Sequence, residues 1–89
     1  MNDIICRATA GTLDSSDLFV TLEPHDGLQI DIDSVVKNQF GEEITAAVKD
    51  VLQQCGVEKA NVRVVDRGAL ECVIRARVET AIVRGKGEA

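Results

Sequence analysis

Aromatic residues are almost absent from this 89-residue chain, which has two Phe and neither Trp nor Tyr. Its core must therefore be aliphatic, built from Val, Ile, Leu and Ala. With no rings for bases to stack on and a formal charge of −5, nucleic acid is excluded as a partner. The single His, His25, stands in a Pro24-His25-Asp26-Gly27 turn, which leaves no metal-ligand cluster and no Ser-His-Asp set. A glycine-rich phosphate loop and a His-Glu-x-x-His pattern are also missing, so a catalytic role is not expected. The three cysteines, Cys6, Cys55 and Cys72, are scattered without Cys-x-x-Cys spacing. They are expected to be reduced thiols packed as small hydrophobes. No apolar run approaches the ~18 residues of a membrane span. Nor does a cationic segment precede an apolar one at the N-terminus. The expectation is a soluble cytoplasmic protein with no membrane partner.

The chain is long enough for one domain, expected over residues 1–84 with a flexible tail over 85–89. Asp3 to Ala10 reads as a short strand. Leu18, Val20 and Leu22 alternate with Phe19 and Thr21, and Leu28, Ile30 and Ile32 alternate with Gln29, Asp31 and Asp33. Both runs have the period of a strand, and the four-residue link between them predicts an antiparallel hairpin. From a cap at Asp33 or Ser34, the stripe Val36, Phe40, Ile44, Ala47, Val48, Val51, Leu52, Cys55 predicts a helix ended by Gly56. Asn61 to Asp66 reads as a strand. Leu70, Val73, Ile74, Val78, Ala81 and Ile82 form a helical stripe over 69–83, although Glu71, Val73, Arg75 and Arg77 also alternate as a strand would. The fold class that buries both stripes is α+β. It is a two-layer sandwich in the order βββαβα, with two helices on one face of a mostly antiparallel four-stranded sheet.

Few side chains suggest chemistry. Asp31 and Asp33 share one strand face and read as a solvated surface. Arg75 and Arg77 are expected to pair with Glu71 and Glu79 one helical turn away. Ser15 differs, because Gly11-Thr12-Leu13-Asp14-Ser15-Ser16-Asp17 sets a primary hydroxyl in an acidic turn between two strands. Turns of this kind lie at the surface. No His is near to activate the hydroxyl, and Asp14 and Asp17 disfavour an alkoxide. From composition the segment is a plain turn or a serine available for modification.

The segment Ala10-Gly11-Thr12-Leu13-Asp14-Ser15-Ser16-Asp17 resembles the prosthetic-group site of the citrate lyase acyl carrier proteins, the gamma subunits of that complex. Ser34 to Gly41, Val65 to Cys72 and Ile74 to Arg77 follow the same family in the same order. The resemblance implies that Ser15 is joined through a phosphodiester to 2′-(5″-phosphoribosyl)-3′-dephospho-coenzyme A, whose thiol carries acetyl or citryl groups. It implies a hetero-oligomer with a transferase (alpha) and a lyase (beta) subunit that convert citrate to acetate and oxaloacetate. A separate transferase would load the prosthetic group. Asp14, Ser16 and Asp17 flank the site, the two Asp either as handles for that enzyme or as shapers of the turn. The family usually has Gly after the modified Ser, where this chain has Ser16, and registration from Gly11-Thr12-Leu13 favours Ser15. The carriers of citramalate lyase and malonate decarboxylase are close alternatives. An unmodified interaction module is the alternative of a different class.

Overall fold

A computed structural model of the chain describes residues 4–34 and 37–87. The elements are β1 (Ala8–Gly11), β2 (Leu18–Glu23), β3 (Leu28–Ser34), α1 (Lys37–Gln54), β4 (Ala60–Asp66) and α2 (Glu71–Gly85). Period-two alternation gives each strand one apolar face, and the register brings those faces together. Ala8 and Ala10 lie opposite Leu22 and Val20. Val20 and Leu22 face Val64 and Val62 across the next pair, and Ile32 and Ile30 complete the row on β3. Leu18, Val20, Leu22, Ala60, Val62 and Val64 have no solvent exposure. The helices cover this face, α2 over β1 and β2 and α1 over β3, and pack on each other. Ile44, Val48, Val51 and Leu52 of α1 and Ile74, Val78, Ala81 and Ile82 of α2 complete the core. The expected sandwich is the observed one.

The strand order corrects the expected hairpin. β2 and β3 are not neighbours, because the sheet runs β1-β2-β4-β3. β4 lies between them, antiparallel to β2 and parallel to β3. A parallel pair needs a crossover, and α1 supplies it between β3 and β4. The Pro24–Gly27 link has only to cross two strand spacings, roughly 10 Å, which four residues can span. Burial explains the arrangement. β4 buries Ala60, Val62 and Val64 completely and takes an inner position, whereas β3, with exposed Gln29, Asp31 and Asp33, suits an edge.

Several boundaries also differ from expectation. The first strand begins at Ala8, and Asp3 lies outside the described residues. Ile4 is nevertheless buried, held by Ile5 and Cys6 N–H bonds to the Gly85 carbonyl (2.9 and 3.2 Å). Helix α2 continues through Gly85, whose hydrogens face the Ile4 side chain, so the expected tail starts inside packed structure. Residues 88–89 lie outside the described residues. Asp33 and Ser34 end β3, and residues 35–36, between them and α1, lie outside the described residues, as does the Phe40 side chain. At the other end of α1, the Gly56 N–H bonds to the Gln53 carbonyl (3.1 Å) and the Val57 N–H to the Leu52 carbonyl (2.9 Å). This is the Schellman arrangement that a glycine stop leads one to expect. The cysteines are less buried than expected: Cys6 and Cys72 are exposed and Cys55 is half-buried, all free thiols. Cys72 sits on the outer side of the first turn of α2, beside exposed Glu71, where no core partner is available.

Candidate functional site

The loop from Thr12 to Asp17 joins β1 to β2 at one end of the sheet. The Thr12 N–H bonds to the Leu18 carbonyl (3.2 Å) and closes the loop, and the Asp17 N–H bonds to the Asp14 carbonyl (3.1 Å) within it. Asp14 to Asp17 is thus a four-residue turn with Ser15 and Ser16 at its two central positions. Ser16 has φ +64°, the only positive value at a non-glycine among the described residues. A bonded turn with positive φ at its second central residue alone has the φ pattern of a type II turn, whose usual occupant there is Gly. Ser15 then holds the corner, and both serines are exposed. Gly11 makes the close start of the loop possible. Its φ is +92°, and a Cβ there would stand 1.8 Å from the Leu18 carbonyl oxygen.

Asp17 fastens the loop from inside. Its Oδ2 accepts from the Thr12 hydroxyl at 2.5 Å and its Oδ1 from the Leu18 N–H at 2.8 Å. From α2, Arg77 donates Nε to Oδ1 and Nη2 to Oδ2, both at 3.1 Å. This two-pronged geometry matches guanidinium to carboxylate. The Thr12 hydroxyl and the Leu18 N–H, with a lesser contribution from the Arg77 guanidinium, hold the Asp17 carboxyl at a pKa of about 2 against the opposing effect of burial. Thr12 Oγ1 also accepts from the Asp14 N–H at 3.2 Å. The turn that displays Ser15 is therefore fixed by a helix sixty residues away in sequence.

A second loop lies alongside. The Ser16 N–H donates to the Arg67 carbonyl (2.8 Å), and the Arg67 N–H donates to the Asp17 carbonyl (2.9 Å). These bonds continue the β2–β4 ladder beyond its last strand pair, Leu18 with Asp66. Asp66 is the one buried charged residue among those described, 1 % exposed. Its Oδ2 accepts from the Ser34 hydroxyl at 2.7 Å and its Oδ1 from the Ala69 N–H at 2.9 Å, which pins the loop leading into α2. Asp66 also floors a groove of about 350 Å³ with apolar walls from Ile44, Ala47, Ala69, Leu70 and Ile74. The carboxylates of Glu43 and Glu71 stand at its exposed margin.

Of the residues singled out in the sequence, the loop gathers Asp14, Ser15, Ser16 and Asp17. Asp14 and Ser15 present exposed side chains, and Asp17 turns inward as a structural anchor. Arg77 does not pair with a glutamate on its own helix. Its partner is Asp17, because α2 passes directly over β1 and β2. Arg75 does pair with Glu71 (3.1 Å), and additionally with Asp50 of α1 (2.6 Å), and these two carboxylates raise its pKa. His25 is exposed in its turn, with the Gly27 carbonyl 3.2 Å from Nδ1. Leu70, expected in the helical stripe, precedes α2 and is 71 % exposed. Sequence reasoning gave Asp66 no role. The signal was present, since Asp66 and Ser34 extend the period-two rows Ala60-Val62-Val64 and Leu28-Ile30-Ile32 onto the buried face. Among the described residues, no group of His, Cys, Asp and Glu could hold a metal ion, and no helix is long and apolar enough to cross a membrane.

Residues 6–85 match the acyl carrier family model described as malonate decarboxylase delta subunit (MdcD). A citrate lyase acyl carrier protein of Haemophilus influenzae (strain PittEE) is 52 % identical over 81 residues, spanning 91 % of this chain and 85 % of that protein. One from Klebsiella pneumoniae is 54 % identical over 79 residues, spanning 86 % and 81 %. One from Streptococcus equi subsp. equi is 45 % identical over 82 residues, spanning 90 % and 80 %. Among solved structures, a chain of a Pseudomonas malonate decarboxylase hetero-tetramer, crystallised with malonate, superposes with a TM-score of 0.78. It is 26 % identical, over 89 % of this chain and 82 % of that one.

Proposed function

The chain belongs to the citrate lyase acyl carrier protein family, a family of non-catalytic carriers, and from that premise we propose that Ser15 is the attachment point of its prosthetic group. The observation that supports Ser15 most directly is the conformation of its neighbour. Ser16 occupies the left-handed turn position that glycine favours, where the family pattern has Gly after the modified Ser. That register supports Ser15 as the modified residue, with Ser16 a strained substitute for glycine.

The residues fit a phosphodiester-linked arm. The Ser15 hydroxyl is exposed at the corner of a turn, so a transferase can reach it. Arg67, exposed and hydrogen-bonded through its backbone to the same turn, offers a guanidinium for the phosphate. Asp14 is the exposed carboxylate a loading enzyme would read, and Asp17, tied to Arg77, holds the turn in shape. The group supplies a thiol whose thioesters are electrophilic and acidify the adjoining carbon. The protein's own task is to present that arm from a fixed base, so that delivery to a partner's active site proceeds at high effective concentration. In this reading the group is phosphoribosyl-dephospho-coenzyme A and the partners are the transferase and lyase subunits of citrate lyase. The cycle converts citrate to acetate and oxaloacetate. Identities of about 50 % to citrate lyase carriers support this acid over malonate.

Peptide mass measurement on chain co-produced with its loading enzymes tests the proposal. The Ser15 peptide is expected to gain the mass of the group, and Ser15→Ala to abolish the gain while stability changes by under about 0.5 kcal/mol. Loading that survives Ser15→Ala but is lost in Ser16→Ala would move the site by one residue. No added mass beside active lyase would sink the reading.

A further inference from the structure

We propose that the groove between α1 and the start of α2 is a resting site for the neutral, amide-bearing thioester end of the arm. Its acidic margin would turn the same arm away once it carries carboxylates. The inference rests on Ser15 as the attachment point.

Position comes first. The Ser16 N–H is bonded to the Arg67 carbonyl at 2.8 Å, and the two residues after Arg67 contribute to the groove. The opening therefore begins beside the turn, well within the length of an arm built from a nucleotide and two amide-linked units. Chemistry agrees with position. A volume of about 350 Å³ matches the small end of ligand sites, and most of the wall is aliphatic. Leu70 is the clearest oddity, a leucine 71 % exposed that contributes one wall and has no core to join. On the floor, Asp66 is 1 % exposed and already accepts from Ser34 and Ala69. A carboxylate has about four acceptor positions, so an incoming amide N–H finds one here.

Charge supplies the selectivity. Among the described residues the three ionisable side chains that line the groove, Asp66, Glu43 and Glu71, are acidic; Glu71 is paired with Arg75 (3.1 Å), which leaves Asp66 and Glu43 as the main like charges. An acetyl thioester adds no charge and is accepted. A thioester bearing free carboxylates meets like charge and is refused. Because the tether holds its end at roughly millimolar effective concentration, a millimolar site is enough to be occupied much of the time. The arm's uncharged thioester end would then rest against the protein between deliveries, and a carboxylated end would be left extended for the next subunit.

Titration of the ¹⁵N-labelled full chain with free S-acetylpantetheine tests this without requiring a loaded Ser15. Saturable shifts are expected at the amides of Ala69, Leu70 and Ile74, with a Kd in the millimolar range. Leu70→Ser should weaken binding several-fold with the remaining spectrum unchanged, since that side chain is exposed. S-succinylpantetheine should bind the wild type several-fold more weakly than the acetyl compound, and Glu43→Gln with Glu71→Gln should remove most of that difference. The proposal is overturned by unmoved groove amides at about 10 mM probe, well above the effective concentration of a tether, or by equal binding of the two compounds to the wild type. The peptide mass at Ser15 is read separately. Its failure would remove the carrier reading and leave the groove measured on its own terms.

Discussion

Two turns of this molecule do similar jobs with different hardware. Pro24–Gly27 joins β2 to β3, and among the described residues its bond beyond itself is at Gly27, whose carbonyl accepts from the Ala60 N–H at 2.9 Å. The His25 ring stays local. The Thr12–Asp17 loop joins β1 to β2 and is tied to three other parts of the chain: the start of β2, the Arg67 loop and Arg77 of α2. A connection needs only to reverse or carry the chain. A platform for a covalent group also has to hold its corner still, and here that rigidity comes from a carboxylate that collects four donors on two oxygens. Ser15 is consequently exposed without being loose at its base.

Substitutions at matched positions break or sharpen this contrast. The largest effect is expected at Gly11. Gly11→Ala places a methyl 1.8 Å from the Leu18 carbonyl oxygen at φ +92° and should cost about 3 kcal/mol or more in urea unfolding. Gly27→Ala, at φ +123° with open space around the new carbon, should cost only about 1–2 kcal/mol. Equal losses would mean that the two turns are constrained alike.

Next in size is Asp17→Asn, which keeps the shape and removes the charge. The folded carboxyl titrates at about 2, below its ordinary value of 3.8. The folded state therefore prefers the ionised form, and the stabilisation is complete above the ordinary value and disappears as pH falls through about 2. Wild type should be more stable than the variant by a constant margin above about pH 5, and that margin should shrink toward pH 2. A margin independent of pH across this window would remove Arg77 and Thr12 as the holders of the turn. The smallest effect is expected from Ser16→Gly. Releasing a left-handed serine should raise stability by roughly 1 kcal/mol while Ser15 still loads. A loss of stability would show that the Ser16 side chain contributes something the backbone conformation does not require.

Much of the fold is legible because its periods are clean. Leu18-Val20-Leu22 and Ala60-Val62-Val64 alternate without a break, and Ile44 to Leu52 repeats at helical steps until Gly56 stops it. The surface position of Ser15 follows from the turn residues around it. What went unread involves partners distant in sequence. Arg77 has Glu79 as a neighbour, yet finds Asp17, because helical spacing says nothing about which strand a helix crosses. Strand order was hidden for the same reason. A four-residue link suits a hairpin, and only the need to bury β4 on both edges inserts it between β2 and β3. Leu70 matched the stripe numerically, but it lies one residue before the helix begins.

By itself the sequence determined the α+β class, the aliphatic core and the exposed serine in an acidic turn. These rest on local periodicity, composition and turn chemistry, which act over a few residues. Tertiary structure alone decided that β4 is inserted, that Asp17 points inward to Arg77, and that Asp66 floors a groove beside the Ser15 turn. Those features depend on which surfaces meet. Burying all the apolar faces at once selects one arrangement from several that local rules allow.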